Sequence, residues 1–181
     1  MKLDFTPKLQ YANCSLTQDY LFSCDVGSGG TIEMWAIEAG SIASLTESSG
    51  TITVITKASG KIFRHYQLVV ETANWQEDIT GNIQNGTVFY DQKGTIIINK
   101  QQVNMRNEIL LLAVNNLIVI IRDQNETYRL YGRINGLRVL SGTAATGTAL
   151  GDRNGYTLNF SGKEPQLAPF VALGVIATLQ T

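Results

Sequence analysis

Residues with the types and spacing for phosphate chemistry lie in "SGTAATGTALGDRNGYTLNFSG", residues 141–162, where Gly142 and Gly147 form Gly-x-x-x-x-Gly. That is the first half of a phosphate cradle, whose backbone amides wrap phosphate oxygens. A working cradle continues with Lys and then Ser or Thr opening a helix, which supply an ammonium, a magnesium ligand and a positive helix end. Here Thr148 and Ala149 follow, and the next segment alternates like a strand. Nucleotide binding is not expected.

Other chemistry meets similar limits. A Ser-His-Asp set would have to use His65, the one histidine, which lies mid-strand between Arg64 and Tyr66 with no G-x-S-x-G elbow in the chain. Glu33, Glu38, Glu71, Glu77 and Asp78 could pair as acid and base, but nothing in their spacing holds two carboxyls at the roughly 5–9 Å that glycosidases use. They read as solvated strand faces. "DQN" at 123–125 and "DRNG" at 152–155 resemble pieces of calcium loops without the long ligand series or the final glutamate, so turns are expected. Tyr66, Trp75, Phe89, Tyr90, Tyr128 and Tyr131 could form a sugar or single-strand platform, although aromatics in strands more often pack a core. Cys14 and Cys24 are expected as free thiols, and one histidine cannot complete a zinc set. No cofactor, no metal and no enzymatic activity are expected.

Fourteen basic and fifteen acidic residues in 181 leave a net charge of −1, no footprint for wrapping nucleic acid or an anionic membrane. The apolar run at 109–121 is broken by Asn115 and Asn116 and falls short of the roughly 20 residues that span a bilayer. With no apolar leader, a soluble chain is expected, and the N-x-S/T triplets at Asn13, Asn85, Asn125 and Asn159 read as chance.

The elements that must position any site follow from periodicity. Residues 1–28 lack a sustained period and read as an N-terminal arm, ending at a Gly/Ser hinge over 27–30; residues 29–181 read as one domain. Period-two alternation predicts strands over 31–39, 51–57 and 61–72, and two short ones in "GTVFYD" and "KGTIIINK" behind the Asn85-Gly86 turn. Met105, Ile109, Leu112 and Ala113 fall on one face of a helix over about 104–114, leaving Arg106 and Asn107 outward. "LIVIIRD" at 117–123 reads as a strand buried on both faces, followed by strands in "ETYRLYGRI", "GLRVL", "YTLNFSG" and "PFVALGVIATL". About ten strands with one helix predict a mainly β protein, a sandwich or barrel with the helix on its flank.

From about residue 29 the succession "GGTIEMWAIE", "GKIFRHYQLVVETANWQEDI", "GTVFYDQKGTIIINK", "NMRNEILLLA", "LIVIIRDQNETYRLYG" and "INGLRVLSGTAATGTALGDRNGYTLNFSGKEP" resembles tail-tube-type virion proteins of bacteriophages and prophages. The resemblance implies a subunit made in the bacterial cytoplasm and built into the virion tail. It also implies a homo-oligomeric ring, hexameric if tube-like, with rings stacked into a conduit through which DNA passes without sequence-specific binding. Neighbouring tail or neck proteins would be the other partners, with no membrane. The 1–28 segment carries no tube hallmark, which leaves open a neck, connector or tail-terminator component; a ligand- or carbohydrate-binding β-sandwich is the reading from a different class. In a ring protein the connection holding Gly142, Thr143, Thr146, Gly147, Thr148, Gly151, Asp152, Arg153 and Asn154 is expected at a subunit interface, ordered only against a neighbour.

Overall fold

The computed structural model describes residues 16–22, 26–82 and 84–181. Along them run strands β1 (Thr31–Glu38), β2 (Ile42–Ser48), β3 (Thr51–Lys57), β4 (Arg64–Gln67), β5 (Asn74–Asn82) and β6 (Thr87–Asn99), then helix α1 (Val103–Val114). Strands β7 (Leu117–Asp123), β8 (Tyr128–Tyr131), β9 (Arg138–Ala145), β10 (Gly155–Glu164) and β11 (Phe170–Val171) follow, with a one-turn helix α2 (Leu173–Ile176). A seven-stranded sheet, ordered β2-β3-β11-β8-β7-β1-β4, and a four-stranded sheet, ordered β5-β6-β10-β9, make a sandwich-like, mainly β fold.

β7 shows how alternation builds the core. Leu117, Val119 and Ile121 point into the space between the sheets, where they join Met34, Tyr66, Ile96, Tyr131, Leu158 and Phe160. Ile118 and Ile120 point the other way, into a second cluster with Trp35, Ile52, Phe63, Leu130, Val175 and Leu179. The strand is therefore buried on both faces, as its unbroken apolar run predicts. The residues after α2 close the second cluster: Phe63 N–H donates to the Leu179 carbonyl at 2.9 Å, and Lys57 Nζ donates to those of Thr178 and Leu179 at 2.6 and 3.1 Å.

Several boundaries differ from the periodicity reading. The two short strands around residues 86–100 are one strand, β6, paired with β5 over Thr87–Thr95 and with β10 over Tyr90–Asn99. Gly94 allows this, because the Trp75 ring lies over it and a Cβ there would come within 2.5 Å of that ring. Only Arg64–Gln67 of 61–72 is strand, since the chain turns at Val69–Thr72, with Glu71 at φ 64. "PFVALGVIATL" contributes just Phe170–Val171 before it turns helical. β2 and β5 had no period to betray them: both are sheet-edge strands, and most of their residues are exposed.

Helix α1 docks lightly. Leu112 is buried, Met105 and Ile109 are half-buried, and Arg106 and Asn107 are exposed. Ala113, expected on the packing face, is exposed instead, because the helix meets the sandwich through a stripe too narrow to cover it. Leu112→Asp is expected to abolish cooperative melting, since an unpaired carboxylate in the core costs about 4 kcal/mol or more. Circular dichroism melts check this, and a variant that melts like the parent would contradict the placement.

Candidate assembly surfaces

The chain passes from the seven-stranded to the four-stranded sheet through the turn 132–137, between β8 and β9. Gly132 and Gly136 supply positive φ, 71° and 79°. Leu117 and Leu137 exchange backbone hydrogen bonds at 2.8 Å in both directions, stitching the start of β7 to the start of β9. The Glu164 side chain, 2% exposed, accepts from the Ile134 N–H at 3.1 Å and the Asn135 N–H at 2.8 Å. Gln92, 1% exposed, accepts from the Gly132 N–H at 2.8 Å and donates to Glu77 at 2.8 Å. Gly162 completes the fit, because a Cβ there would lie 2.6 Å from the Gly136 carbonyl oxygen. "YGRINGL" and "NFSGKE" thus meet as one packed unit, which sets where β9 begins.

Alternation along the four-stranded sheet leaves its outer face mostly polar. At one level Asn74, Thr95, Asn159 and Ser141 stand across all four strands. Within that row Thr95 Oγ1 donates to Asn159 Oδ1 and Asn159 Nδ2 donates to Ser141 Oγ, both at 2.9 Å. Lys93 bridges Asp78 at 2.7 Å and Asp91 at 3.1 Å on the same face. β5 and β9 are the two edges, each with a single hydrogen-bonded neighbour in the sheet.

The interface-loop residues divide. Gly142 and Thr143 belong to β9, paired with Leu158 and Thr157, so the connection is shorter than the glycine spacing suggests. Thr146, Gly147, Thr148, Gly151, Asp152, Arg153 and Asn154 lie in the exposed β9–β10 loop. The loop holds itself. Asp152 accepts from the backbone N–H groups of Thr148 and Ala149, both at 2.8 Å, and Gly147 turns at φ 74 against the Asp152 Cβ. The Asp152 carboxylate, expected as a charged partner at a contact, is thus already engaged within its own chain.

Beside β9, α1 leaves an apolar groove of about 400 Å³, lined by Ile109, Leu110, Ala113, Val139, Leu140 and Tyr156 among others, with Arg106 at its margin. Leu110 and Leu140 are 53% and 70% exposed. A second cleft, of about 270 Å³, lies between α1 and β4, where Tyr66 donates to Glu108 at 2.9 Å. Burial, then the Glu108 carboxylate, pushes the Tyr66 phenol far up, so it stays a neutral donor.

The remaining candidates are accounted for by packing and pairing. His65 stacks on Trp35 at 4.8 Å and lies 3.9 Å from Glu33, which Arg122 also approaches at 3.4 Å. Glu38 faces Lys61 and Ser41, Glu77 accepts from Gln92 and the Ala168 N–H, Asp78 pairs with Lys93, and Glu71 lies in a turn. Asp123 accepts from the Asn125 and Thr127 N–H groups at 2.9 and 2.8 Å, a turn as expected. Tyr66, Trp75 and Tyr131 pack in or against the core, Tyr128 packs against the second cluster, Tyr90 is half-buried, and Phe89 carries Lys163 over its ring. Among the described residues no three His, Cys, Asp or Glu side chains converge as a metal site, and no helix is long and apolar enough to cross a membrane. Cys14, Cys24 and Asn13 lie outside the described residues. Comparison with known protein families, curated proteins and solved structures finds no match.

Glu164→Ala would strand two amide donors, and a loss of about 3 kcal/mol is expected, against a smaller loss for Glu164→Gln, which keeps an acceptor. Equal denaturant midpoints for the two variants would contradict the role given to the carboxylate. The Ala149 and Thr148 N–H groups also hold the Asp152 carboxyl below the usual aspartate range. Its loop contacts are therefore complete above that range and lost as pH falls through the depressed folded-state value. Amide exchange at Thr148 and Ala149, corrected for intrinsic rates, should lose protection there; protection unchanged at the lowest pH where the fold survives would refute the linkage.

Proposed function

We propose that this protein is a structural ring-forming subunit of the tail-tube type, whose rings stack into a conduit for DNA in a phage virion, and that it performs no catalysis. The observation that carries the reading is the four-stranded antiparallel sheet whose two edges are open among the described residues. Four is even, so β5 and β9 run in opposite directions, and β5 of one copy meets β9 of the next antiparallel. Repetition about an axis along the strands closes a barrel and removes every edge. The outer face would line the channel. Its Asn, Thr and Ser side chains, with Lys93 held by Asp78 and Asp91, suit a wet wall past which a polyanion slides without being gripped. The far half of the β5–β6 hairpin is exposed on both faces, with Ile79 and Val88 uncovered at 65% and 57%, which suits contact between stacked rings.

A ligand-binding module draws on the cleft beside Tyr66 and Glu108. That cleft, at about 270 Å³, and the α1–β9 groove, at about 400 Å³, both lie at the small end of the roughly 300–1,000 Å³ of small-molecule sites. Negative-stain microscopy of the purified protein, over a range of salt and concentration, should show rings of one diameter or tubes. Single copies alone at the highest concentration, confirmed by light scattering, would contradict the proposal.

A further inference from the structure

Among the described residues, two of the unpartnered apolar features have complementary positions. One is the groove between α1 and β9. The other is the arm segment 16–22, "LTQDYLF", in which Leu16, Tyr20, Leu21 and Phe22 are between 82% and 98% exposed. Monomeric proteins rarely leave large apolar patches uncovered. We infer that the arm segment 16–22 of one copy seats in the α1–β9 groove of the adjacent copy, clasping the ring; the inference rests on the β5-to-β9 pairing proposed above.

The placement follows from the sheet. The arm root, Ser28–Thr31, lines one cleft together with Ala73, Asn74 and Trp75, so the arm leaves the domain beside the start of β5. Asn125 holds that root in place, accepting from the Ser28 N–H at 2.7 Å and donating to the Ser28 carbonyl at 2.8 Å. Tyr131 and Ile121, which belong to the core between the sheets, line the same cleft, so the root lies on the inter-sheet side of β5. The groove lies on the inter-sheet side of β9, because Val139 and Leu158, also of that core, line it.

The row Asn74, Thr95, Asn159 and Ser141 puts the start of β5 level with the middle of β9. A neighbour whose β5 pairs with β9 therefore brings its arm root to the groove, on the correct side and near the correct height. Charge agrees as well. Asp19 is the one charged residue of the segment, and Arg106 at the groove margin has no carboxylate partner among the described residues. Phe22 and Gly30 are eight residues apart, up to about 27 Å of extended chain. That is ample for a groove beside the neighbouring edge.

Disulfide trapping tests this in the full-length chain. Tyr20→Cys and Leu140→Cys are placed on separate, differently tagged copies in a Cys14→Ser, Cys24→Ser background, mixed, and oxidised under assembly conditions. The expected result is a crosslink joining the two tags, found in the assembled fraction. A charge swap gives the second readout: Arg106→Glu should raise the concentration needed for assembly about tenfold, as loss of 1.4 kcal/mol would. Asp19→Arg should restore it. With both cysteines on one chain, a crosslink confined to single copies would show the arm closing its own groove and overturn the inference. Rings that assemble with no crosslink and no response to the swap would overturn it while leaving the ring reading intact. Absence of any assembly in the parent protein would instead defeat the ring reading, and the inference with it.

Discussion

The Glu164 carboxylate reaches from the end of β10 into the turn 132–137 and accepts the N–H groups of Ile134 and Asn135. A carboxylate this far from water is costly unless its oxygens are occupied, and these two amides occupy them. Without it the Ile134 and Asn135 N–H groups would lose their partner, at one of the two places where the chain leaves the seven-stranded sheet for the four-stranded one. Gln92 binds the other end of the turn through Gly132 N–H and passes the polar contact on to Glu77 in β5. One buried network thus touches β5, β6, β10 and the crossover. It fixes the height at which β9 begins, and through β9 it fixes the open edge and the groove beside α1.

An edge set so firmly has consequences. A strand with free N–H and C=O groups is a template for another strand, and evolved proteins either cover it or use it. Among the described residues no strand pairs with the outer edge of β5 or of β9, and β5 is long and exposed along its distal half. Use of both edges in one closed repeat, as proposed, would account for the even strand number, the polar outer face and the unburied leucines that α1 offers beside β9. Net charge near zero fits such a role, since subunits must approach one another without strong repulsion.

The sequence made the large features readable where one physical cause dominated. The β-branched run at 117–123 could only be a doubly buried strand, and the spacing of Ile109 and Leu112 marked the helix. It hid features decided by tertiary neighbours. β5 is polar on both faces apart from Trp75 and Ile79, so no alternation marked it; its pairing with β6 and the seat of Trp75 over Gly94 decide its state. Nothing in the residue types of Glu164 and Gln92 marks them as buried. Their signal was present only as glycines, Gly132, Gly136 and Gly162, whose close approach implied something packed against them. The glycine-rich stretch at 142–154 reads as one long connection, whereas Gly142 serves close packing within a strand and Asp152 accepts from amides of the shorter loop that follows.

Hydrogen exchange on the intact protein, compared between dilute and concentrated solution, addresses the edges directly. Strand pairing between copies buries the outward N–H groups of β5 and of β9 in the same event. Both strands should therefore gain protection together at high concentration, in alternate residues, while β6 and β10 change little. Exchange in β5 and β9 that stays independent of concentration, or protection that appears on one edge alone, would contradict closure of the sheet between copies.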